Sequence, residues 1–243
     1  MTAELTDKVA LVTGGTRGIG FSIAQALLAQ RSSVFVCGRD TATLKSAMED
    51  LERAASGRVD GMAADVRRYE DCRKVVRAAA ERFGGLDILV NNAGIGVFKP
   101  VDQLTPEEWD TTIQTNLSGV FYCCREAIPF MRQRGGGYIF NISSLAGVNP
   151  FAGGSAYNAS KFGLNGFSEA MMQDVRYDGI RVSYIMPGSV ATDFGGAPGS
   201  RRAESWKLTG EDIAKAVVDL YKFPQSALAS RIEMRPSQPP RKK

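Results

Sequence analysis

The segment TGGTRGIG, residues 13–20, follows an apolar run at Val9–Val12 and precedes a helical pattern. We expect Gly14 to permit a sharp turn, Gly18 to leave space for phosphate groups, and Gly20 to allow close packing of helix and strand. Because the N-terminus of a helix attracts negative charge, a pyrophosphate would lie at the first turn of the following helix. A glycine-rich turn between a strand and a helix therefore predicts a dinucleotide site.

Short apolar runs alternate with helical patterns along the chain. The predicted strands are Val9–Val12, Val34–Cys37, Val59–Ala64, Ile88–Val90, Tyr138–Ile142, Val182–Met186 and Ile232–Met234. The predicted helices are Ile23–Leu28, Leu44–Leu51, Tyr69–Phe83, Glu107–Met131, Ala156–Arg176 and Asp212–Tyr221. This alternation predicts the α/β class and a doubly wound Rossmann fold, with a seven-stranded parallel sheet and helices on both faces.

We expect one domain over residues 1–243, because this length suits a single core. Thr105–Glu108 predicts a capping box with proline at the first helical position, and Thr209 with Asp212 is a weaker example. The glycine-rich stretch 195–200 is expected to be a loop, and residues 236–243 are expected to form a flexible tail.

Composition excludes several kinds of chemistry. The chain has no histidine, which removes Ser-His-Asp triads and histidine-ligated metals, and we expect no metal site. Its four cysteines form no C-x-x-C pair, which favours a reducing, cytoplasmic setting. The net charge is +4, and the only basic cluster is the tail Arg241–Lys243, so we predict no nucleic-acid partner. No apolar run is long enough for a membrane span.

The end of the second strand bears on the choice of cofactor. NAD-selective sites place a carboxylate near this point, where it binds the ribose 2′-hydroxyl. Gly38 offers no such group, whereas Arg39 and Arg17 offer cations suited to a 2′-phosphate. These residues favour NADP(H) over NAD(H). Asp40 leaves the alternative open, because a rotated loop would present its carboxylate to a ribose.

Six motifs in order resemble those of short-chain dehydrogenases/reductases of the single-domain branch, and are most similar to 3-oxoacyl-[acyl-carrier-protein] reductases. The motifs are TGGTRGIG, Asn91-Asn92-Ala93-Gly94, Asn116, Ile142-Ser143-Ser144, Tyr157-Asn158-Ala159-Ser160-Lys161 and Pro187-Gly188-Ser189-Val190-Ala191-Thr192. The resemblance covers nearly the whole chain and implies a nicotinamide-dependent oxidoreductase acting on a carbonyl or an alcohol.

The resemblance implies a role for each matching residue. It implies a catalytic set of Asn116, Ser144, Tyr157 and Lys161, with Ser144 preferred to Ser143 because it matches the family's usual interval before Tyr157. Beside Arg39, which was inferred from its place at the end of the second strand, it implies that the cofactor is bound by Thr13, Gly14, Thr16, Arg17, Gly18, Ile19, Gly20, Asp65, Val66, Asn92, Ala93, Gly94, Tyr157, Lys161, Pro187, Gly188, Val190 and Thr192.

The chemistry explains why these residue types are needed. A phenol has a pKa of about 10, so Tyr157 needs a nearby cation to act as a base in alcohol oxidation. Lys161 lies four residues later, on the same helix face, and the oxidised nicotinamide ring adds a second positive charge. Ser144 would donate a hydrogen bond to the substrate oxygen. Asn116 is expected to open its helix locally and to hold a water that links Lys161 to solvent.

The sequence says less about the residues that contact the substrate than about those that bind the cofactor. The loop 193–208 carries basic residues suited to an anionic carrier, though solvated charges explain them as well; they are Arg201, Arg202 and Lys207, beside Trp206. Four residues are candidates for an apolar pocket wall, or for ordinary packing: Phe98, Val148, Phe151 and Phe194.

We therefore predict an NADP(H)-dependent reductase of a ketone or aldehyde, with a 3-oxoacyl thioester among the candidate substrates. One alternative is an NAD-dependent dehydrogenase of a secondary alcohol or sugar. A second alternative is a non-catalytic dinucleotide-sensing protein on the same fold. The resemblance also implies a homotetramer or homodimer that uses the long helices Glu107–Met131 and Ala156–Arg176.

Overall fold

The strands form one parallel sheet in the computed structural model, which describes residues 4–192, 194 and 204–240. They are β1 (Val9–Thr13), β2 (Ser33–Gly38), β3 (Val59–Ala63), β4 (Ile88–Asn91), β5 (Gly137–Ile142), β6 (Ile180–Pro187) and β7 (Arg231–Met234). Their order across the sheet is β3-β2-β1-β4-β5-β6-β7, and every neighbouring pair is parallel. The predicted seven-stranded parallel sheet is confirmed.

Helices cover both faces of this sheet, as predicted. They are α1 (Gly18–Ala29), α2 (Thr41–Ala54), α3 (Tyr69–Phe83), α4 (Pro106–Ile113), α5 (Gly119–Gln133), α6 (Ser155–Val175) and α7 (Gly210–Tyr221). The apolar side chains of α1, α2 and α7 share one buried cluster, and those of α3, α5 and α6 share a second.

The two clusters meet the sheet through alternate residues of each strand. In β1, Ala10 and Val12 belong to the first cluster, whereas Val9 and Leu11 belong to the second. Successive side chains of a strand point to opposite faces, so a strand covered on both faces must be apolar throughout. This requirement explains why the central strands read as continuous apolar runs rather than as alternating patterns.

Both predicted capping boxes are present and fix where two helices begin. At the start of α4, the Glu108 backbone N–H donates to Thr105 Oγ1 at 3.2 Å, and the Thr105 N–H donates to Glu108 Oε2 at 3.1 Å. At the start of α7, Thr209 and Asp212 exchange the same two bonds at 3.2 and 2.8 Å.

The sheet reverses its direction of growth beside β1, which pairs with both β2 and β4. The loops that leave the carboxyl ends of β1 and β4 therefore pass to opposite faces of the sheet. Such a switch point leaves a crevice in which ligands of doubly wound folds bind.

Some sequence predictions lie outside the described residues. These are the glycine-rich stretch 195–200, the loop residues Arg201 and Arg202, and the basic tail Arg241–Lys243. Among the helices that are described, none combines the length and the apolar character needed to cross a bilayer.

Candidate active site

A cleft of about 2080 Å³ opens at the carboxyl edge of the sheet. Ligand pockets for drug-sized molecules usually measure about 300–1,000 Å³, so this cleft has room for a dinucleotide together with a substrate. It is lined by all of the residues predicted to bind the cofactor except Thr13 and Gly20. Of the four predicted catalytic residues, Ser144, Tyr157 and Lys161 line it, whereas Asn116 lies behind its wall.

Thr13 supports the cleft from behind rather than facing a ligand. Its buried Oγ1 accepts hydrogen bonds from the backbone N–H groups of Asn92 and Ala93 at 3.0 and 3.1 Å. The Asn92 side chain in turn donates to the carbonyls of Thr13 and Gly14 at 3.1 and 3.0 Å. These bonds join the end of β1 to the end of β4, residues almost 80 positions apart, and so hold the two sides of the crevice together.

Two glycines of the turn are required by its geometry. Gly14 has a φ of +61°, and a Cβ there would lie 2.9 Å from the Ala93 Cα. A Cβ on Gly20 would lie 2.4 Å from the Asn92 side-chain nitrogen and from the Gly14 carbonyl oxygen. Gly20 is therefore needed for packing against the turn itself, whereas the prediction placed that packing between the helix and the strand.

The N-terminus of α1 is suited to an anion. Arg17 occupies the N-cap position without a side-chain hydrogen bond to the helix, and the first turn of α1 carries no acidic residue. The first N–H groups of a helix have no partner within the helix, and together with the helix dipole they attract negative charge. The residues present at this end thus fit the pyrophosphate of a dinucleotide.

The end of β2 favours a 2′-phosphate over a free ribose hydroxyl. A side chain at Gly38 would lie 2.7 Å from Thr16 Cγ2, so a carboxylate at this position would displace Thr16. Arg17 and Arg39 are exposed at the cleft, and neither forms a salt bridge within the described part of the chain. Both guanidinium groups are thus available to an anionic ligand.

Asp40, which left an NAD-type site open in the sequence, caps α2. Its Oδ1 accepts from the backbone N–H and the hydroxyl of Thr43 at 2.7 and 2.6 Å. The hydrogen bonds from Thr43 hold the pKa of the Asp40 carboxyl below its ordinary value. Turning this carboxylate toward a ribose would break the cap and leave the first N–H groups of α2 without this partner.

Tyr157 is the buried phenol of the cleft, with 9% of the residue exposed. Burial raises the pKa of Tyr157 above its ordinary value, and an interaction with the Ser144 hydroxyl lowers the pKa and offsets part of that rise. The Ser144 Oγ also accepts a hydrogen bond from the Ala146 N–H at 3.1 Å. The phenol and the serine hydroxyl therefore meet on the same wall of the cleft.

Lys161 lies one helical turn after Tyr157 on α6. Its Nζ is 5.8 Å from the centroid of the Tyr157 ring and donates to the Ile142 carbonyl at 2.9 Å. Burial lowers the pKa of Lys161 from 10.5 to about 8, so the group is still mainly protonated at neutral pH. An ammonium in this position stabilises negative charge on the phenol.

Asn116 lies in a π-helical turn, Gln114–Ser118, between α4 and α5. The Gly119 N–H bonds to the Gln114 carbonyl five residues earlier, so the predicted local opening of the helix is confirmed. The Asn116 side chain bonds both to the N–H and to the carbonyl of Ile95, at 2.8 and 2.9 Å, and donates to Ser160 Oγ at 3.0 Å. It thereby fixes the loop after β4 beside α6.

Aromatic rings surround the Tyr157 phenol. The Phe98 and Phe194 rings lie 5.5 and 5.7 Å from the Tyr157 ring, centroid to centroid, and Phe151 lies 5.8 Å from Phe98. All three phenylalanines line the cleft, as predicted. Val148 does not line the cleft, which leaves the alternative of ordinary packing for this residue, and the neighbouring Leu145 and Asn149 line the cleft instead.

Residues after β7 also line the cleft, although the sequence indicated only a tail there. β7 ends at Met234, as the following prolines require, and Arg235, Pro236, Pro239 and Pro240 then border the opening. A Cβ on Gly188 would lie 3.3 Å from Pro236 Cδ, which shows how closely this segment packs. A proline-rich composition predicts the end of a strand but not the surface against which the chain then lies.

A nucleotide cleft at a switch point, with a phenol, an ammonium and a serine hydroxyl at its inner end, defines a nicotinamide-dependent oxidoreductase. The family model for short chain dehydrogenase matches residues 8–202, and the chain belongs to this family.

The chain is similar to several known members. It is 34% identical over 194 residues to a 3alpha-hydroxysteroid dehydrogenase of Mediterraneibacter gnavus, covering 79% of this chain and 78% of that protein. It is 36% identical over 212 residues to a provisionally named ketoacyl reductase of Streptomyces coelicolor, covering 86% and 81%. A solved metagenomic short-chain oxidoreductase in complex with NADP is 34% identical, with a TM-score of 0.84 over 97% of this chain and all of that one.

Proposed function

We propose that this chain is an NADP(H)-dependent carbonyl reductase whose proton donor is Tyr157. One observation carries the proposal: the buried phenol lies in the nucleotide cleft between the Lys161 ammonium and the Ser144 hydroxyl. Within the described residues Lys161 forms no salt bridge with a carboxylate, so its positive charge is left to stabilise a phenolate at Tyr157, as a proton donor requires. This arrangement also weighs against a non-catalytic sensor.

The residues of the cleft fit NADP(H). The free N-terminus of α1 would hold the pyrophosphate, and Arg17 and Arg39 would hold the 2′-phosphate. The structural relative described above was solved with NADP, which supports the same preference. When bound, the reduced cofactor supplies the hydride that the substrate carbon accepts.

The chain's own residues would then stabilise and neutralise the negative charge that forms on the substrate oxygen. The Tyr157 hydroxyl donates its proton to that oxygen, and the Ser144 hydroxyl donates a hydrogen bond to it. Lys161 stabilises the phenolate that remains, because its ammonium lies on the same helix face. Asn116 keeps the loop after β4 close to Lys161, since a Cβ on Gly94 would lie 3.4 Å from Asn116 Oδ1 and 3.9 Å from Lys161 Nζ. In this proposal the opened helix around Asn116 also holds the water that links Lys161 to solvent.

The substrate is proposed to be an apolar ketone or aldehyde. Phe98 and Phe151 are 42% and 47% exposed at the cleft, so an apolar substrate would cover carbon surface that now faces water. Among the described residues the only carboxylates that line the cleft are Asp40 and Asp65, both at the cofactor end. The carboxylates that often bind sugar hydroxyl groups are therefore absent from the substrate end of the described lining.

A 3-oxoacyl thioester is the second candidate substrate. Lys207 lines the cleft with only 11% of its side chain exposed, and it would meet an anionic carrier arm from the outer side. Its ion pair with Glu204 at 3.1 Å weakens this case. The similarity to the Streptomyces protein supports it.

A panel of three carbonyl compounds tests the substrate proposal. With saturating NADPH, we expect 1-phenylethanone to be reduced with a higher kcat/KM than dihydroxyacetone, because burying an aryl group contributes about 1.5–3 kcal/mol, or roughly 10- to 100-fold. An acetoacetyl thioester is the third member. A preference for dihydroxyacetone would contradict the apolar assignment, and a preference for the thioester would favour the second candidate.

Arg39→Ala is expected to weaken NADPH binding selectively. A hydrogen bond to a charged group contributes about 1.5–3 kcal/mol, so we expect the Kd of NADPH to rise about tenfold at this exposed site. The Kd of NADH should stay close to the wild-type value. Fluorescence titration with both reduced cofactors measures the two constants.

Arg53→Ala is the matched control, since Arg53 is an exposed arginine of α2 that does not line the cleft. It should leave both constants unchanged. If Arg39→Ala weakens the binding of NADH and of NADPH equally, then the assignment of Arg39 to a 2′-phosphate is wrong. The assignment is also wrong if the wild-type protein binds NADH more tightly than NADPH.

We also propose that the protein forms a homotetramer or homodimer. Phe121 on α5 and Phe162 on α6 are 44% and 46% exposed, on helices that belong to the two long patterns of the sequence. Large apolar side chains that are exposed on a monomer are often covered at an interface. Light scattering of the purified protein would measure the mass, and a monomer would contradict the proposal.

A further inference from the structure

The loop after β5 carries Ser144, and two asparagines of α6 hold it on both sides of that residue. The Ser143 hydroxyl donates to Asn165 Oδ1 at 2.6 Å, and Asn165 Nδ2 donates to the Gly147 carbonyl at 3.0 Å. Asn158 Nδ2 donates to the Ala146 carbonyl at 2.6 Å. Ser143, Asn158 and Asn165 are all buried. The loop that carries Ser144 is therefore held at the residue before Ser144 and again two and three residues after it.

The same face of α6 carries Tyr157 and Lys161. Lys161 Nζ donates to the Ile142 carbonyl at 2.9 Å, immediately before the fastened loop. A Cβ on Gly147 would lie 2.8 Å from the Lys161 carbonyl oxygen, so the loop backbone packs directly on the helix backbone. Because one helix holds both the phenol and the loop, its side chains set the distance between the Ser144 and Tyr157 hydroxyls.

We propose that Ser143, Asn158 and Asn165 are positioning residues that fix Ser144 relative to Tyr157. The inference rests on the proposed function, which gives Ser144 its role at the substrate oxygen. A hydroxyl that must bond to a developing charge works only within a narrow range of positions, and a misplacement of about 1 Å can cost 100-fold in rate. None of the three touches the substrate oxygen in this account, so their effect passes through Ser144.

Asn158 also links this loop to the apolar wall. Its Oδ1 accepts from the Phe151 backbone N–H at 3.4 Å, at the end of the same loop. Ser144 and the aromatic wall are thus placed by one set of amide side chains. The partners of these asparagines do not follow from sequence spacing, because they lie 7 to 22 positions away on another element.

A matched pair of variants separates positioning from simple stability. Ser143→Ala and Ser168→Ala each remove one buried hydroxyl that bonds to a buried asparagine. Ser168 Oγ accepts from Asn141 Nδ2 at 2.8 Å on β5 and donates to the Leu164 carbonyl at 2.7 Å on α6, so neither bond is made to the Ser144 loop. Each deletion is expected to lower the free energy of unfolding by about 1 kcal/mol.

With NADPH and 1-phenylethanone, Ser143→Ala is expected to lower kcat about tenfold, within the range for a small misplacement. The Kd of NADPH should not change, and Ser168→Ala should keep the wild-type kcat. If both variants have the same kcat, or if Ser143→Ala changes only the melting temperature, the positioning proposal is overturned.

The double variant Ser143→Ala/Ser144→Ala tests whether Ser143 affects kcat through Ser144. If Ser143 acts through Ser144, then adding Ser143→Ala to Ser144→Ala causes no further loss of kcat. A further loss of the same tenfold size overturns the inference while leaving the role of Ser144 intact. If Ser144→Ala alone retains the wild-type kcat, the proposed function of Ser144 fails, and the positioning inference fails with it.

Discussion

Replacement of Tyr157 by phenylalanine is expected to lower kcat for ketone reduction by about 100- to 10,000-fold, the usual contribution of a positioned general acid. The substitution removes only the hydroxyl, and the remaining ring still packs against Phe98 and Phe194. The Kd of NADPH should therefore stay close to the wild-type value. Steady-state rates from the absorbance of the reduced nicotinamide, with a cofactor titration, measure both quantities.

Tyr138→Phe is the matched control for this experiment. Tyr138 is also buried, and its hydroxyl bonds to a serine, Ser183 Oγ, at 2.8 Å, but it lies on β5 outside the cleft. The Tyr138→Phe substitution should lower the free energy of unfolding by about 1 kcal/mol and leave kcat unchanged. Comparable rates for Tyr157→Phe and Tyr138→Phe would remove the phenol from the mechanism.

Replacement of Lys161 by methionine is expected to stabilise the fold at neutral pH while it abolishes most turnover. Burial lowers the pKa of Lys161 from 10.5 to about 8. Since one pH unit corresponds to about 1.4 kcal/mol, the buried ammonium destabilises the folded state by about 3 kcal/mol at neutral pH. Methionine removes that penalty, and loss of the bond to the Ile142 carbonyl offsets about 1 kcal/mol of the gain.

The sign of the pH dependence follows from the direction of the shift. Between about 8 and 10.5 the unfolded chain binds a proton at Lys161 that the folded chain has lost, so the wild-type protein gains stability as the pH rises. The advantage of Lys161→Met should therefore be largest below pH 8 and should shrink above it. Urea unfolding of both proteins on either side of this pKa measures the difference. If Lys161→Met is less stable than the wild-type protein at neutral pH, the account is contradicted. The same holds if the difference in the free energy of unfolding between the two proteins does not change with pH.

The sequence predicted those features that depend on local spacing. The turn at 13–20, the capping box at Thr105 and the shared helix face of Tyr157 and Lys161 each involve residues within about two turns of one another. Their physical causes act over the same short range: a positive φ, an unpaired N–H group and a 3.6-residue period. The opened helix at Asn116, by contrast, was expected from the resemblance to the family and not from local spacing.

The sequence did not predict the contacts between distant elements. Thr13 meets Asn92 and Ala93 across 79 and 80 positions, and this contact turns an expected cofactor ligand into a support behind the cleft. The place of Val148 could not be decided from sequence either, because its loop is held on α6 by the distant side chains of Asn158 and Asn165. No local periodicity encodes such hydrogen bonds.

One local signal was present but was not used. Asp40 stands three residues before Thr43, at the start of a helical pattern, which is the spacing of a side-chain cap. Interpreted in this way, the sequence alone would have assigned the Asp40 carboxylate to α2 and left Arg39 as the group facing a 2′-phosphate.

The central claim is that the protein transfers a hydride from NADPH to a carbonyl compound while Tyr157 donates the proton. A labelled hydride tests this claim most directly. NADPH carrying deuterium at the transferred position of C4 is incubated with the wild-type protein and 1-phenylethanone, and the alcohol is examined by mass spectrometry and NMR. The account predicts one deuterium on the carbinol carbon and almost no alcohol with Tyr157→Phe. Alcohol without the label, or bound NADPH that yields no alcohol from any carbonyl compound of the panel, would contradict it.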